Sequence, residues 1–232
     1  GRSAMRRWLG LWWPAAWALA PNFETFSGRA LGTWSGTTER WDGSEVCPSV
    51  DEVSEVMRSC GGAVQGLRMG EVMANRADDN FVYFDDGTWC LADSDEPLIV
   101  LAHGDDVRRR FRVDAVALQG RGPSPDDATT LPTDLPESRM IRGRRRGDAW
   151  ILPRVKWTDG DAERLPPVDA EARLATSSAY LASWQTDGTT RHLQAGSCYA
   201  GEFKALDLEY DLPGRVLREV ALYSTQGPAT PS

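Results

Sequence analysis

Asp-Gly occurs at Asp42-Gly43, Asp86-Gly87, Asp159-Gly160 and Asp187-Gly188, along a chain whose apolar residues recur mostly at every second position. Both central residues of a type I′ turn need positive φ, which Asp and Gly tolerate, so this dipeptide is the strongest short signal for a β-hairpin. Leu212-Pro213-Gly214 adds a fifth turn. With Asp86-Gly87 as a two-residue turn, Phe84 faces Trp89 and Val82 faces Leu91 on one side of the ribbon. Tyr83 then faces Cys90, and Phe81 faces Ala92, on the other. The same rule applied to Asp187-Gly188 sets Trp184 opposite Arg191 and Ala182 opposite Leu193.

Further strands are predicted at Leu98–Ala102, Val107–Leu118, Trp150–Trp157, Glu202–Tyr210 and Arg215–Tyr223. In the second of these, Val107, Phe111, Val113, Ala115 and Ala117 share a face, and Arg108, Arg110 and Arg112 share the opposite, solvated one. Residues 49–62 carry a capping-box pattern, Ser49 with Glu52, closed by Gly61-Gly62, and can be read as one short helix or as a paired strand. Residues 119–147 hold Pro123, Pro125, Pro132 and Pro136 and no apolar period, which predicts a long flexible loop. Short strands joined by tight turns predict an all-β domain, a single antiparallel β-barrel of about 8–10 strands over 22–224. Closing the sheet removes its exposed edges.

The chain has 232 residues and a net charge of -8, which argues against wholesale binding of a nucleic acid backbone. Two arginine clusters run against that sign: Arg108-Arg109-Arg110 with Arg112, and Arg142 with Arg144-Arg145-Arg146. They read as a solvated strand face and a solvated loop. Residues 1–21 are an apolar leader, Arg6-Arg7 before an apolar run ending Ala18-Leu19-Ala20, in the pattern of a targeting or signal peptide. The run is too short for a transmembrane span. Residues 225–232 read as a disordered tail. Cys47, Cys60, Cys90 and Cys198 have no metal-ligand spacing, leaving buried thiols or two disulfides as the alternatives.

Chemistry-bearing groups are sparse. His103 and His192 are the two histidines, and no G-x-S-x-G element accompanies them, so no catalytic residue and no metal ligand is assigned. Phe84, Trp89, Phe111, Trp150, Trp157, Trp184 and Tyr199, with Arg191, are the side chains expected to line a barrel interior. Such an interior is either packed solid or holds one small ligand. Flat aromatics beside arginine suit an apolar ligand that carries a carboxylate.

In lipocalins a Gly-x-Trp motif begins the first strand, and the indole closes one barrel end beneath an arginine from a late strand. Gly32-Thr33-Trp34 resembles that motif, and the resemblance implies Arg218 as the arginine over Trp34. In order, "LGTWSGTTERW", Pro48-Ser49, "NFVYFDDGTWCLAD", "VRRRFRVDAVAL" and "EYDLPGRVLREVALYS" resemble the lipocalin-like (calycin) domain of unknown function found in cyanobacteria and plastid-bearing eukaryotes. That family is related in fold to the chromophore lyases that attach bilins to phycobiliproteins. The similarity spans residues 23–224 in scattered blocks, departs at the Pro-rich 119–147 segment, and matches no lyase active site.

The resemblance implies non-catalytic binding of a small hydrophobic or tetrapyrrole-like ligand, such as a bilin or another apolar pigment. One alternative is a lyase-like chaperone that attaches a bilin to a cysteine of a chromophore-acceptor protein. Another is a packed structural barrel. The implied location is the plastid, with a secreted or lumenal protein as the alternative.

Overall fold

A computed structural model describes residues 22–42, 45–60, 63–68, 71–76, 81–91, 98–123, 125–131, 138–146, 149–158, 166–212 and 215–225. Among these residues one helix, α1 (Phe23–Ala30), precedes sixteen strands. The first nine are β1 (Gly32–Asp42), β2 (Glu45–Cys60), β3 (Ala63–Arg68), β4 (Glu71–Arg76), β5 (Phe81–Tyr83), β6 (Trp89–Leu91), β7 (Leu98–His103), β8 (Val107–Phe111) and β9 (Ala115–Gly120). The rest are β10 (Ser138–Arg146), β11 (Ala149–Thr158), β12 (Glu171–Ala175), β13 (Ala179–Thr186), β14 (Thr190–Tyr199), β15 (Glu202–Asp211) and β16 (Val216–Thr225). The protein is all-β, as period two predicts. No helix of the described residues is long and apolar enough to cross a membrane.

The strands divide between two antiparallel sheets, where a single barrel was expected. The first runs β4-β3-β2-β1-β9-β8-β7-β6-β5 and the second β11-β10-β16-β15-β14-β13-β12. Each is a meander whose last strand returns to its first, β9 to β1 and β16 to β10. Their faces meet in one core, with Val82, Phe84, Ile99, Leu101 and Phe111 from the first sheet against Leu181, Leu193, Leu206, Leu208 and Leu222 from the second. All of these are within 4% of full burial. Burial of that apolar surface, at about 25 cal/mol per Å2, is what holds sheet on sheet.

Both hairpins exist, but their registers are one residue away from the expected ones. Tyr83 pairs with Trp89 and Val82 with Cys90, and Trp184 pairs with His192 rather than Arg191. The cause is a third loop residue. Thr186 pairs with Thr190 across Asp187-Gly188-Thr189, where Asp187 and Gly188 have φ of 51° and 73°. The Asp187 carboxylate accepts the Thr189 N–H at 3.1 Å and its hydroxyl at 2.6 Å. Asp86 holds Thr88 in the same way, at 2.9 and 3.1 Å, and Phe84 N–H donates to the Thr88 carbonyl at 2.8 Å. A one-residue slip sends every side chain of the second strand to the opposite face. Cys90 thereby joins the inter-sheet core, and Trp89 joins Tyr83 beneath α1.

Two other expectations change, and one open alternative is decided. Residues 107–118 are two strands, β8 and β9, because Arg112 N–H closes a turn onto the Ala115 carbonyl at 2.8 Å. Residues 49–60 lie in β2, hydrogen-bonded to β1 and to β3, so a two-sided ladder overrides the capping-box pattern. The run Arg142–Arg146 is not loop. It forms β10, paired on both sides.

The outer face of the first sheet is closed at one end by α1, which buries Phe23, Phe26 and Ala30 against Trp34, Tyr83 and Trp89. Those helix positions lie three and four residues apart and so share one side. Phe26 and Tyr83 rings sit 4.5 Å apart. The Trp34 indole N–H donates to the Ala30 carbonyl at 2.9 Å, and Arg29 reaches the Asp86 carbonyl at 2.9 Å. The outer face of the second sheet carries a third cluster, with Met140, Tyr180, Phe203 and Tyr223 at its centre and Leu131 laid over it.

Candidate functional site

The aromatic residues expected to converge on one cavity do not. Phe84 and Phe111, each 1% exposed, are core between the sheets, and Trp89 is packed under α1. Trp184 lies half-buried on the outer face of the second sheet, stacked on His192 at 4.8 Å and 2°. Arg191 pairs with Gln185 and Tyr210, one residue out of step with Trp184. Tyr199 ends β14 near His103, at 6.0 Å between rings. The side chains of Trp150 and Trp157 lie outside the described residues.

Trp34 is buried beneath α1 at one end of the first sheet, and Arg218 does not lie over it. Gly32 opens β1 at φ 124°, a conformation that suits glycine. The Trp34 ring is 3% exposed and carries the guanidinium of Arg108 at 4.3 Å and that of Arg121 at 4.8 Å. Arg218 belongs to the other sheet, where it is exposed and ion-paired to Asp211. The arginines over the indole come from β8 and from just beyond β9 because β9, not β16, returns to β1.

Between the sheets a polar seam crosses the apolar core. Lys204 from β15 donates to the Asp86 carboxylate at 2.8 Å and to the Ala102 carbonyl at 2.5 Å. His103 from β7 contacts Ser197 at 2.6 Å through Nε2 and Glu202 at 3.3 Å through Nδ1. Arg109 donates to the Ser178 hydroxyl at 2.9 Å. Burial lowers the His103 pKa below its ordinary value, opposed in part by Glu202. The ring is then neutral, with Nδ1–H directed at the carboxylate and Nε2 accepting from Ser197. The connectivity is that of a Ser-His-Glu device, yet Ser197 is 0% exposed, so these groups tie sheet to sheet. Burial pushes the Cys90 thiol far up, and Cys90 and Cys198 are both buried free cysteines. Among the described residues no group of three potential metal ligands gathers.

The candidate site lies on the outer face of the first sheet, beyond Trp34. The register aligns Arg110 of β8, Ala117 of β9 and Thr38 of β1 in one row across three strands. Arg110 and Thr38 are 4% and 3% exposed, and the Thr38 hydroxyl has no hydrogen-bond partner among the described residues. They border a cavity of about 50 Å3 completed by Arg40, Arg112, Asp114, Ala115 and Ala117.

One row toward α1, Arg108 Nε donates to the Gln119 amide oxygen at 2.8 Å, while the fully buried Gln119 Nε2 has no acceptor among the described residues. Gly36 completes that row: a Cβ there would lie 1.8 Å from the Leu118 carbonyl oxygen, so only glycine lets β1 approach β9 this closely. A buried hydroxyl and a buried amide left unpaired each cost about 1–3 kcal/mol. An acceptor supplied from outside would relieve that cost.

These residues were legible as types but not as a site. Arg108 and Arg110 alternate correctly, and their face was expected to be solvated. Thr38 carries no sequence signal at all. A turn at Arg112–Asp114 was the missing cue, since it folds β9 back beside β8 and brings the arginines against β1.

No family model matches the chain, and no curated protein matches it. Among solved structures it is similar to a protein of unknown function of the DUF3598 family from Nostoc punctiforme. The identity is 11% and the TM-score 0.57, over 88% of this chain and 98% of that one. At that identity the likeness concerns architecture alone. The chain therefore shares an all-β fold with a cyanobacterial protein whose own function is unknown.

Proposed function

We propose that the protein binds, without transforming it, a small amphipathic ligand whose carboxylate enters the cavity between Arg110 and Thr38. The observation that carries this reading is a buried arginine on the same face as a buried hydroxyl that lacks a partner among the described residues, at the mouth of an arginine-rimmed cavity. A guanidinium presents parallel N–H donors that match a carboxylate, and the neutral hydroxyl adds a third donor. A water needs roughly 10–15 Å3 of such space, so about 50 Å3 admits a carboxylate head with its first carbons. The body of a tetrapyrrole or a long acyl chain lies outside this cavity. Arg40 and Arg112 at the rim attract the anion.

The test compares free acids with their esters. Biliverdin and a C16 fatty acid are titrated against their methyl esters, following tryptophan fluorescence. The acids are expected to bind at least ~10-fold more tightly than the esters, since an ester cannot form the charged hydrogen bonds. Thr38→Val and Arg112→Gln are expected to weaken the acid and leave the ester unchanged. Equal affinity for acid and ester, or no binding of either, would defeat the proposal.

A further inference from the structure

Charge is distributed unevenly over this acidic chain. The β10–β11 hairpin, residues 138–158, contains Arg139, Arg142, Arg144, Arg145, Arg146, Arg154 and Lys156 against the single acid Asp148. The register places Arg142 directly opposite Arg154. Like charges directly opposite each other destabilise a sheet. On the other side of β10, Glu219 answers Arg142 at 2.8 Å and Arg144 at 2.7 Å. Glu219 thus bridges Arg142 and Arg144, and Arg145 is exposed on the same strand. The acids Asp159, Asp161 and Glu163 that follow in sequence lie outside the described residues.

Edge protection accounts for part of this pattern. β11 ends its sheet, and Pro153 sits at its bulge, where a missing N–H costs no ladder bond. Arg154 and Lys156 on that strand discourage pairing with another chain. The other five cations are on β10, an inner strand flanked by β11 and β16, where edge protection has no purpose.

We infer that the β10–β11 hairpin docks on an anionic lipid surface. Three observations favour a bilayer over a nucleic acid strand. The cations are spread along two adjacent extended strands at a sheet margin, which suits a plane. The adjoining groove, bordered by Arg144, Arg145 and Arg218, is also lined by Glu209 and Glu219, whose carboxylates repel a threaded phosphate chain. The register sets Trp150 opposite Arg145 and Trp157 opposite Arg139, so an indole-bearing residue stands at each end of the hairpin. Tryptophan and arginine together are the residues of a membrane–water interface. The net charge of the whole chain, -8, orients it with this hairpin toward the membrane and the remainder away. The inference is independent of the carboxylate site.

The experiment is co-sedimentation of the full chain with vesicles of phosphatidylglycerol and phosphatidylcholine, against vesicles of phosphatidylcholine alone. Each cation near an anionic surface contributes roughly fivefold in affinity. Arg145→Gln with Arg154→Gln is therefore expected to weaken vesicle binding by about 10- to 30-fold. Arg191→Gln on β14 should leave it unchanged. Raising salt from about 50 to about 500 mM should release the wild-type protein. The melting temperature of Arg154→Gln should hold or rise, because a like-charge pair is relieved, which separates lost binding from lost folding. No preference for the anionic vesicles, or binding indifferent to salt and to the double substitution, would overturn the inference. So would tighter binding to a single-stranded oligonucleotide than to the vesicles.

Discussion

Replacing Trp34 tests both the closed end of the first sheet and the identity of the arginines above it. A tryptophan buries about 200 Å2, and Trp34 is 3% exposed, so its loss removes roughly 5 kcal/mol of transfer free energy. A compact denatured state lowers that to about 3–4 kcal/mol. Trp34→Ala also leaves the Ala30 carbonyl without the indole N–H and loosens the seat of Phe26 and Trp89. The informative quantity is the coupling with arginine. Arg121 lies over the ring at 4.8 Å, where a half-buried cation–π contact contributes about 1 kcal/mol. Urea unfolding of Trp34→Ala, Arg121→Ala and the double variant should give a coupling near that value. The matching cycle with Arg218→Ala should be additive to within about 0.3 kcal/mol, since Arg218 is engaged by Asp211 on the other sheet. Additivity with Arg121 together with coupling to Arg218 would refute the arrangement. So would a loss below ~1 kcal/mol for Trp34→Ala.

Gly36→Ala should destabilise by about 2–4 kcal/mol, because its Cβ would meet the Leu118 carbonyl at 1.8 Å and β1 must part from β9. Thermal melts check this, and a loss under ~0.5 kcal/mol would show that the close approach is not required. His103 has a folded pKa below its ordinary 6.5 through burial, so its contribution is complete above 6.5 and is lost as pH falls below that value. Burial raises the Glu202 pKa, but His103 and Lys204 outweigh it and hold the group below 4.5, so its contribution also fades toward acid. His192 runs the other way: Asp207 outweighs burial and raises its pKa, adding stability below 6.5 that is lost as pH rises. His103→Gln should therefore flatten the loss of melting temperature between pH 7 and pH 5, and an unchanged slope would show that His103 is not its source.

The two main hairpins show how much a short motif carries. Asp86-Gly87 and Asp187-Gly188 locate the turns correctly, yet in both cases Thr follows, and the Asp carboxylate captures it. Asp-Gly-Thr was the readable unit, and taking two residues of it in place of three misassigned the faces of Trp89 and Arg191. For the candidate site the obstacle is different. Arg108 and Arg110 alternate as a strand should, but alternation says only which residues share a face, never what that face meets.

By itself the sequence determined the all-β class, the turns at Asp86-Gly87 and Asp187-Gly188, and the start of β1 at Gly32 with Trp34 two residues on. Those features rest on local backbone preference and on period two, which act within a few residues. Tertiary structure decided the rest: two sheets in place of one barrel, Arg108 and Arg121 rather than Arg218 over the indole, and burial of three successive arginines. The decisive pairings join Ser35 to Gly120 and Ser138 to Thr225. Contacts across so much chain are chosen by the packing of whole faces and the matching of buried polar groups, and no short stretch of sequence contains both partners.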